Sequence, residues 1–465
     1  MKYVSTRGQA PAAAFLDAVI AGLAPDGGLY VPERWPTLSA DEIAGFAGRP
    51  YAEVAADLIG RFAGDDIDAG RLAELCADAY ASFSHAAVAP LKQLGPGSFL
   101  LELFHGPTLA FKDIALQLLA GLYEHALARR RRRLTIVCAT SGDTGGAAVE
   151  AFRGRANVRI VVLFPEGRIS AVQRRFMTTA DDDNVACLAV RGDFDACQAM
   201  LKAMFQDAQF ARAVDLSGVN SINFARIAAQ IVYYFTAAVA LGAPHRPVAF
   251  AVPTGNFGDA YAGYAAHRMG LPIERIILGV NSNDILARAL ATGRYARGES
   301  AATLSPAMDI QAASNFERLY FEAVERDPVE TARAFEAFAA RGVLDIPPRG
   351  LSTIRALFAG AAVSEAETGR TLLSTLNETG ELVDPHTAVG LAAAARIGPA
   401  NRTTPLVTLA TAHPAKFPEA ALAAAGVAPA TPHSVFRLAE RTERIKTIAA
   451  DLETAKVFIR KFAQA

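Results

Sequence analysis

A single lysine within an apolar, glycine- and proline-containing segment is the residue of this chain best suited to covalent chemistry. Lys112 follows the apolar part of LELFHGPTLAFKD, residues 101–113, and stands directly before a helical pattern. Burying an ammonium group is costly unless a partner is present. An amine in that setting can be held neutral enough to attack a carbonyl and form a Schiff base. The alternative, common for an arbitrary FKD tripeptide, is a packed stem whose ammonium reaches water.

The turn SGDTGG, residues 141–146, joins an apolar strand to a helix and offers backbone N–H groups to an anion. The alternative is a tight turn in which Asp or Thr caps the helix. Asp143 would repel an anion if it pointed inward. The binding groups are therefore expected to be the backbone together with Ser141, Gly142 and Thr144.

A second turn, PTGNFGD at residues 253–259, repeats this arrangement at another strand end. Its glycines flank two larger residues, and a helix is predicted to start near its final aspartate, which suits a phosphate cradle of backbone N–H groups. The turn does not fit GxxxxGK[ST] and lacks GxGxxG. A nucleoside triphosphate P-loop is therefore not supported, and a dinucleotide site is disfavoured.

Further polar residues cluster at other predicted strand and helix ends. Thr411, in LATAHPAKFPEA, is predicted at the carboxyl end of a late strand, where its hydroxyl can meet a heteroaromatic ring nitrogen or cap a helix. His413 and Lys416, in the same segment, are interpreted as surface residues. Arg226 and Arg318 are candidate anion ligands because a planar guanidinium matches phosphate or carboxylate.

The helix that contains Arg318 has a capping signal of its own. In SPAMDIQAASNFERL, residues 305–319, Ser314 is a natural N-cap and Glu317 stands at the capping-box position. That structural interpretation does not account for Asn315 or Arg318.

The elements that must position these residues alternate strand, turn and helix after Leu91. Apolar, β-branched strands of this kind predict mostly parallel sheets covered by helices, with ligands beyond the carboxyl ends of the strands. The first ninety residues or so show mainly helical patterns. The predicted strands are Leu134–Thr140, Val158–Phe164, Val185–Val190, Pro247–Val252, Ile276–Val280 and Pro405–Ala410.

Composition excludes several classes of function. The chain has 465 residues, is 52% hydrophobic and carries a net charge of −1, so neither disorder nor binding of nucleic acid or membrane through bulk charge is indicated. The basic run at residues 129–133 is interpreted as a solvated helix end. Its four cysteines form no CxxC pair, and no HExxH or GxSxG occurs, so metal and triad chemistry are disfavoured. A cytoplasmic location is expected, without a signal peptide or spanning helix.

Eight segments, in order along the chain, together resemble those of the bacterial-type threonine synthase family. Its members are pyridoxal-phosphate lyases with the tryptophan synthase β-like fold, which is called fold type II. The resemblance runs nearly from end to end. It rests on MKYVSTRG, GLAPDGGLYVP, LELFHGPTLAFKD, TSGDTGGAA, NSINFARI, PTGNFGD, SPAMDIQAASNFERL and LATAHPAKFPEA.

The resemblance implies a role for each motif. Lys112 would form the Schiff base with pyridoxal 5'-phosphate and then move protons. The cofactor phosphate would lie on Gly255, Asn256, Phe257 and Gly258, and Thr411 would face the pyridine nitrogen. Ser141, Gly142, Asp143 and Thr144 would surround the substrate carboxylate. Weaker substrate candidates are Ser221, Asn223, Arg226, Asn315 and Arg318, and weaker still are Thr6 and Arg7.

The implied reaction, the last step of threonine biosynthesis, converts O-phospho-L-homoserine and water to L-threonine and phosphate by γ-elimination and β-replacement. Two alternatives stay open: a serine/threonine dehydratase-like enzyme of the same fold, and a non-catalytic paralogue. A monomer or homodimer is expected. The predicted domains are a mainly helical one over residues 1–92, a large α/β one over 93–128 and 240–465, and a small α/β one over 129–239.

Overall fold

The computed structural model describes residues 1–219 and 221–464. Its strands, in chain order, are β1 (Lys2–Ser5), β2 (Ala13–Ala14), β3 (Tyr30–Pro32), β4 (Leu91–Gly95), β5 (Ser98–Glu102), β6 (Leu134–Ala139), β7 (Val158–Pro165), β8 (Val185–Arg191), β9 (Leu216–Ser217), β10 (Val248–Pro253), β11 (Ile273–Val280), β12 (Arg294–Ala296), β13 (Val343–Asp345), β14 (Phe358–Ala362), β15 (Leu406–Ala410) and β16 (Lys446–Ala449).

The helices, in the same order, are α1 (Phe15–Ala21), α2 (Ala40–Ala44), α3 (Tyr51–Ala63), α4 (Ala69–Tyr80), α5 (Lys112–Arg130), α6 (Asp143–Phe152), α7 (Ala171–Thr178), α8 (Phe194–Gln206), α9 (Ala208–Ala213), α10 (Phe224–Ala240), α11 (Gly258–Arg268), α12 (Ile285–Thr292), α13 (Phe316–Ala323), α14 (Pro328–Arg341), α15 (Pro348–Leu357), α16 (Glu365–Thr379), α17 (Pro385–Ile397), α18 (Pro418–Ala425), α19 (His433–Ala439) and α20 (Leu452–Gln464). Short 3-10 helices span Gly64–Asp66, Pro306–Met308 and Pro414–Lys416.

The larger sheet brings three of the predicted site turns to one edge. Its strand order is β14-β11-β10-β15-β5-β4, with every pair parallel except β4 and β5. The turns after β10 and β15 contain Gly255 and Thr411, the turn after β5 leads directly to Lys112 at the start of α5, and these three strands are neighbours. Because carboxyl ends of parallel strands share an edge, the three turns meet there.

The smaller sheet is parallel throughout, in the order β16-β8-β7-β6-β9. The SGDTGG turn follows β6, which lies between β7 and the edge strand β9, and leads into α6. Strand β7 is buried along its length apart from one half-buried residue, Arg159, as expected of an apolar strand covered by helices on both faces. The six strands predicted from the sequence are all present, and the α/β fold with parallel sheets is confirmed.

The N-terminal part packs helices α3 and α4 against α10 and α5, beside a small antiparallel sheet β2-β1-β3. Ser39 caps α2 in a full capping box with Glu42. The capping box predicted for Ser314 and Glu317 is wrong. Helix α13 begins at Phe316 without a side-chain cap, because Glu317 instead binds the N-terminal segment.

The C-terminal segment lies differently from the predicted division of the chain. Strand β16 pairs with β8, and α20 packs Ala455 and Ile459 into the core of the smaller sheet. Residues 446–464 therefore extend the smaller α/β unit and not the larger one to which they were assigned. None of the helices in the described ranges is long and apolar enough to cross a membrane.

Candidate active site

Hydrogen bonds fix the lysine turn, residues 103–111 before α5, and so position Lys112. Asp113 accepts from the Thr108 amide at 2.8 Å and from the Thr108 hydroxyl at 2.6 Å. The Phe111 amide donates to the Thr411 carbonyl at 2.9 Å. The lysine turn is thus tied to the turn after β15, and Lys112 starts the helix.

Lys112 is buried, with 8% of its surface exposed. Burial lowers the pKa of its ammonium group. Lys416 and Arg226 act in the same direction, while Asp143 opposes them. The nearest carboxylate atom is Asp143 Oδ2, 3.5 Å from Lys112 Nζ. A buried lysine with a lowered pKa is the state in which an amine can act as nucleophile or proton carrier.

Asp143 points inward and binds two lysines. Its Oδ1 lies 2.8 Å from Lys416 Nζ, and Lys416 is 1% exposed, so the interpretation of Lys416 as a surface residue is wrong. Burial favours the neutral acid, but the ammonium groups of Lys416 and Lys112 hold the pKa of Asp143 well below its usual range. The carboxylate is therefore a fixed negative charge next to Lys112.

The rest of the SGDTGG turn is shaped around Thr140. The Thr140 hydroxyl accepts from the amides of Gly142 at 2.9 Å and Gly145 at 3.0 Å. Gly142 has φ +137°, and a Cβ on it would lie 2.6 Å from the Gln173 side chain. Gly142 therefore allows the Gln173 side chain to lie close to the turn, and its amide, which donates to Thr140, is not free to bind a ligand. Ser141 is half-buried at the same turn, and Thr144 follows within the first turn of α6.

The glycine turn, residues 253–259 after β10, offers backbone groups and not side chains to a ligand. Phe257 has a left-handed φ of +63°, and its buried ring packs against Phe316 and Phe358. A Cβ on Gly255 would lie 3.0 Å from Met308 Cα. Helix α11 begins at Gly258, so its first amides face the turn.

These features fit pyridoxal phosphate. A glycine turn at a helix N-terminus suits the phosphate, and a buried lysine suits the aldehyde. Thr411, 6% exposed, directly follows β15 as predicted. A neutral hydroxyl at the end of that strand can donate to or accept from a ring nitrogen.

Asn315 joins the glycine turn to the segment before α10. Its amide donates to the carbonyls of Asn256 and Ser221, each at 3.2 Å. Arg318 is fully buried and donates to Asn315, to the Tyr30 carbonyl and to the Ile222 carbonyl. The structure thus places Ser221, Asn315 and Arg318 behind the glycine turn, with the guanidinium directed at carbonyl oxygens.

Asn223 caps α10 through the Ala225 amide, and its own amide donates to the Val19 carbonyl at 2.8 Å. Thr6 and Arg7 both bind Glu317, so the N-terminal segment packs on α13. Asn220, the first residue of NSINFARI, lies outside the described residues.

Arg226 differs from Arg318 in its partners. It is 4% exposed, and one Nη donates to the Val219 carbonyl at 3.1 Å. Its Nε has no hydrogen-bond partner, and no carboxylate pairs with it, among residues 1–219 and 221–464. Burial lowers its pKa to about 10, so the guanidinium stays charged near neutral pH.

Two buried groups near Lys112 were not predicted to be functional. One is Lys416, which was interpreted as a surface residue, although its place in the HPAKFP segment could have drawn attention to it. Asp259 is the other: its Oδ1 accepts from the hydroxyls of Tyr233 and Tyr234, and its Oδ2 has no partner among the described residues. Burial raises the pKa of Asp259 to about 7. No sequence signal reveals the two tyrosines as its partners.

Comparisons with known proteins cover nearly the whole chain. Family models match it as "Threonine synthase N terminus" over residues 2–80, "Pyridoxal-phosphate dependent enzyme" over 87–357 and "Threonine synthase, C-terminal" over 387–459. A threonine synthase of Pseudomonas aeruginosa is 49% identical over 99% of this chain and 98% of that protein.

Solved structures of threonine synthases also match the whole length of the chain. A pyridoxal-phosphate-bound threonine synthase of Brucella melitensis has a TM-score of 0.97 at 50% identity, with 100% of both chains covered. A yeast threonine synthase has a TM-score of 0.94 at 36% identity, covering 100% of this chain and 99% of that one.

Proposed function

The chain belongs to the threonine synthase family, and from that membership we propose how its own residues carry out the family's reaction. It is a pyridoxal-phosphate-dependent enzyme, and its reaction converts O-phospho-L-homoserine and water to L-threonine and inorganic phosphate. We next assign the residues that bind the cofactor, those that bind the substrate and the one that transfers protons.

The observation that carries the assignment is the charge around Lys112. Two further buried cations, Arg226 and Lys416, lie near Lys112; of the carboxyl groups nearby, Asp143 is held ionised, whereas burial raises the pKa of Asp113 to about 6 and that of Asp259 to about 7. Asp143 binds Lys416, but no carboxylate pairs with Arg226 among the described residues, and a buried positive charge is costly without an anion. A substrate with a carboxylate and a phosphate supplies the missing charge.

We propose that the cofactor is held by Lys112, by the glycine turn and by Thr411. The amides at the start of α11 bind its phosphate, helped by the helix dipole. Gly255 and Gly258 let the backbone approach closely, while Phe257 contributes backbone alone. Asn256 is fixed by the bonds from Asn315 to its carbonyl.

Bound pyridoxal phosphate withdraws electrons from the substrate, which lowers the barrier to removing protons from Cα and Cβ. The Lys112 amine is the proton carrier for both carbons, because burial lowers its pKa and so favours the neutral amine that can accept a proton. Its position as the first residue of α5 fixes the backbone from which the amine reaches the substrate.

The substrate's two anionic groups have separate sites in this proposal. Its carboxylate lies on the SGDTGG turn, at the hydroxyls of Ser141 and Thr144 and the free backbone of the turn. Its phosphate lies on Arg226, whose Nε awaits an acceptor. We assign Asn223, Ser221, Asn315 and Arg318 to holding these segments in place, since their hydrogen bonds end on protein atoms.

We propose a reducing, cytoplasmic compartment, supported by the four cysteines, all of them free and buried. A monomer or homodimer and the three-domain division stay proposals, with residues 446–464 moved to the smaller α/β unit because β16 pairs with β8.

Product analysis tests the function. The purified protein with pyridoxal phosphate should convert phosphohomoserine to threonine and inorganic phosphate in equal amounts, measured by amino-acid chromatography and a phosphate assay. The Lys112→Ala variant should fold, by circular dichroism, and release neither product. A 2-oxo acid formed from free threonine, without turnover of phosphohomoserine, would instead indicate a dehydratase.

A further inference from the structure

We propose that Lys416 is a positioning residue that keeps Asp143 charge-compensated throughout the reaction and so fastens the SGDTGG turn against the lysine turn. This inference deepens, and rests on, the proposed function. Lys416 lies on the turn after β15 of the larger sheet, whereas Asp143 starts α6 on the smaller sheet. The pair therefore joins the two sheets beside Lys112, across the cleft between the SGDTGG turn and the turns after β5 and β15, where the reaction is proposed to occur.

The ammonium of Lys416 has partners on both sides of that cleft. Its Nζ donates to Asp143 Oδ1 and to the Thr108 carbonyl, each at 2.8 Å. Thr108 in turn fixes Asp113, the neighbour of Lys112. The Phe176 ring of α7 lies 5.5 Å from the same nitrogen. One buried lysine thus contacts the lysine turn, α6 and α7 together.

The backbone of Lys416 adds a further link to the smaller sheet. The Ser170 hydroxyl, which caps α7, donates to the Lys416 carbonyl at 3.3 Å. Gln173, on the first turn of α7, donates to Asp143 Oδ1 at 3.0 Å. These bonds form one connected set between the two sheets, and Lys416 is the residue common to both sides.

Asp143 needs a counter-ion that does not take part in the chemistry. Its Oδ2 lies 3.5 Å from Lys112, but that amine changes bonding partner and protonation when it holds the cofactor and moves protons. Lys416 does neither, and its Nζ lies 2.8 Å from the other carboxylate oxygen. Without Lys416, a buried carboxylate would face the anionic substrate without compensation, which is strongly unfavourable.

A purely structural ion pair would give different results from this role. If Lys416 only stabilises the fold, Lys416→Met should lower the thermal stability, while the folded variant keeps the wild-type KM for phosphohomoserine. If Lys416 compensates Asp143, removing the carboxylate as well should restore function, because the harmful charge disappears. The cycle of Lys416→Met, Asp143→Asn and the double variant separates the two roles.

The experiment uses the holoenzymes of these three variants and of Lys456→Met as a matched control. Lys456 is also a buried lysine that binds two carboxylates, Asp207 and Glu453, but it lies on α20 away from the cleft. We expect Lys416→Met to raise KM for phosphohomoserine more than about tenfold, and the double variant to recover most of that loss. Lys456→Met should leave KM unchanged.

A spectroscopic titration gives a readout independent of turnover. The absorbance of the lysine-bound cofactor, followed against pH without substrate, reports the proton on the Lys112 nitrogen. Losing the positive charge of Lys416 while keeping Asp143 should raise that titration midpoint by about one unit. The double variant should bring it back toward the wild-type value, because both opposing charges are then gone.

The proposal is overturned if Lys416→Met matches the wild type, or if the double variant is as impaired as Lys416→Met in both readouts. Should Lys416→Met not fold, Lys416→Arg replaces it. Retained KM and midpoint in that variant support charge compensation, and loss of both contradicts it. A wild-type enzyme that makes no threonine from phosphohomoserine would refute the proposed function instead.

Discussion

Arg226 is the residue whose burial is hardest to explain without a ligand. Its guanidinium is charged and buried, yet its only hydrogen bond among the described residues goes to one carbonyl. Arg318 is equally buried but is satisfied by Tyr30, Ile222 and Asn315. The two arginines are thus similarly buried, but the donors of Arg318 are satisfied within the protein, whereas Arg226 can still donate to a phosphate.

Replacing Arg226 by Met should weaken substrate binding far more than cofactor binding. A charge-assisted hydrogen bond contributes about 1.5–3 kcal/mol, so KM for phosphohomoserine should rise about ten- to a hundredfold. The dissociation constant of pyridoxal phosphate, from absorbance titration, should change little. Arg318→Met is the matched control, and it should lower thermal stability and both affinities together. Equal losses in Arg226→Met would contradict its assignment to the substrate phosphate.

Asp259 should make stability depend on pH. Burial raises its pKa from 3.8 to about 7, against the opposing hydrogen bonds of Tyr233 and Tyr234. A group with a raised folded-state pKa contributes stability that is full below its unfolded pKa and is lost as pH rises through the folded one. Between those values the wild type should lose up to about 1.4 kcal/mol per pH unit from this group.

Asp259→Asn removes that titration while its carbonyl oxygen can still accept from both tyrosines. Urea unfolding across this pH range should therefore show the difference between Asp259→Asn and the wild type moving in favour of the variant as pH rises. A constant difference between the two proteins would show that Asp259 does not titrate in this range.

At this scale the sequence predicted Lys112, the glycine turn and Thr411, because each follows an apolar strand within a recognisable block. It did not predict the burial of Lys416. That burial depends on Asp143, a residue far away in the chain that pairs with it only after the two sheets fold together. Local spacing contains no information about such a partner.

At the scale of elements, the glycine turn is fitted to the segment over it. Gly255 faces the 3-10 helix Pro306–Met308, whose Ala307 amide donates to His386 Nε2 at 3.2 Å. His386 is held in turn by Asp384 at 2.6 Å. His386 of α17 and its N-cap residue Asp384 therefore hold the 3-10 helix that packs against the turn proposed to bind the cofactor phosphate.

Gly255→Ala should disturb this fit. The added Cβ would lie 3.0 Å from Met308 Cα and 3.1 Å from the Ala307 carbonyl oxygen, both backbone atoms that cannot rotate away. We expect the dissociation constant of pyridoxal phosphate to rise at least about tenfold, measured by absorbance titration of the apoenzyme. Gly95→Ala is the control, since nothing lies within 4 Å of its added Cβ. Unchanged cofactor affinity in Gly255→Ala would contradict the role of this glycine.

Strands were predicted well where apolar runs act locally, as in β7. The start of α13 was not, although Ser314 and Glu317 have ideal spacing. Glu317 binds Thr6 at 2.6 Å and Arg7 at 2.9 Å instead. A long-range ion pair with the N-terminal segment outcompetes the local cap.

At the scale of the whole molecule, the chain returns at its end to the smaller sheet. Strand β16 is short and largely exposed, so its sequence KTIA gives little indication of a strand. It nevertheless extends the sheet beside β8, and α20 covers the same core with Ala455 and Ile459. The unit that carries Asp143 is therefore completed by residues 446–464.

Truncating Ile459 should loosen the smaller sheet selectively. Ile459 is fully buried in the core formed with Ile448 and Val190, so Ile459→Ala should cost about 2–5 kcal/mol, counting both lost burial and the cavity. Hydrogen exchange followed by mass spectrometry should show lost protection in β8 and β7, with β10 and β11 of the larger sheet unchanged, because the affected core belongs to one sheet. Val457→Ala on the same helix, 48% exposed, should alter neither sheet. Equal loss of protection in both sheets would mean that they unfold as one unit, and would contradict a separate C-terminal contribution to the smaller one.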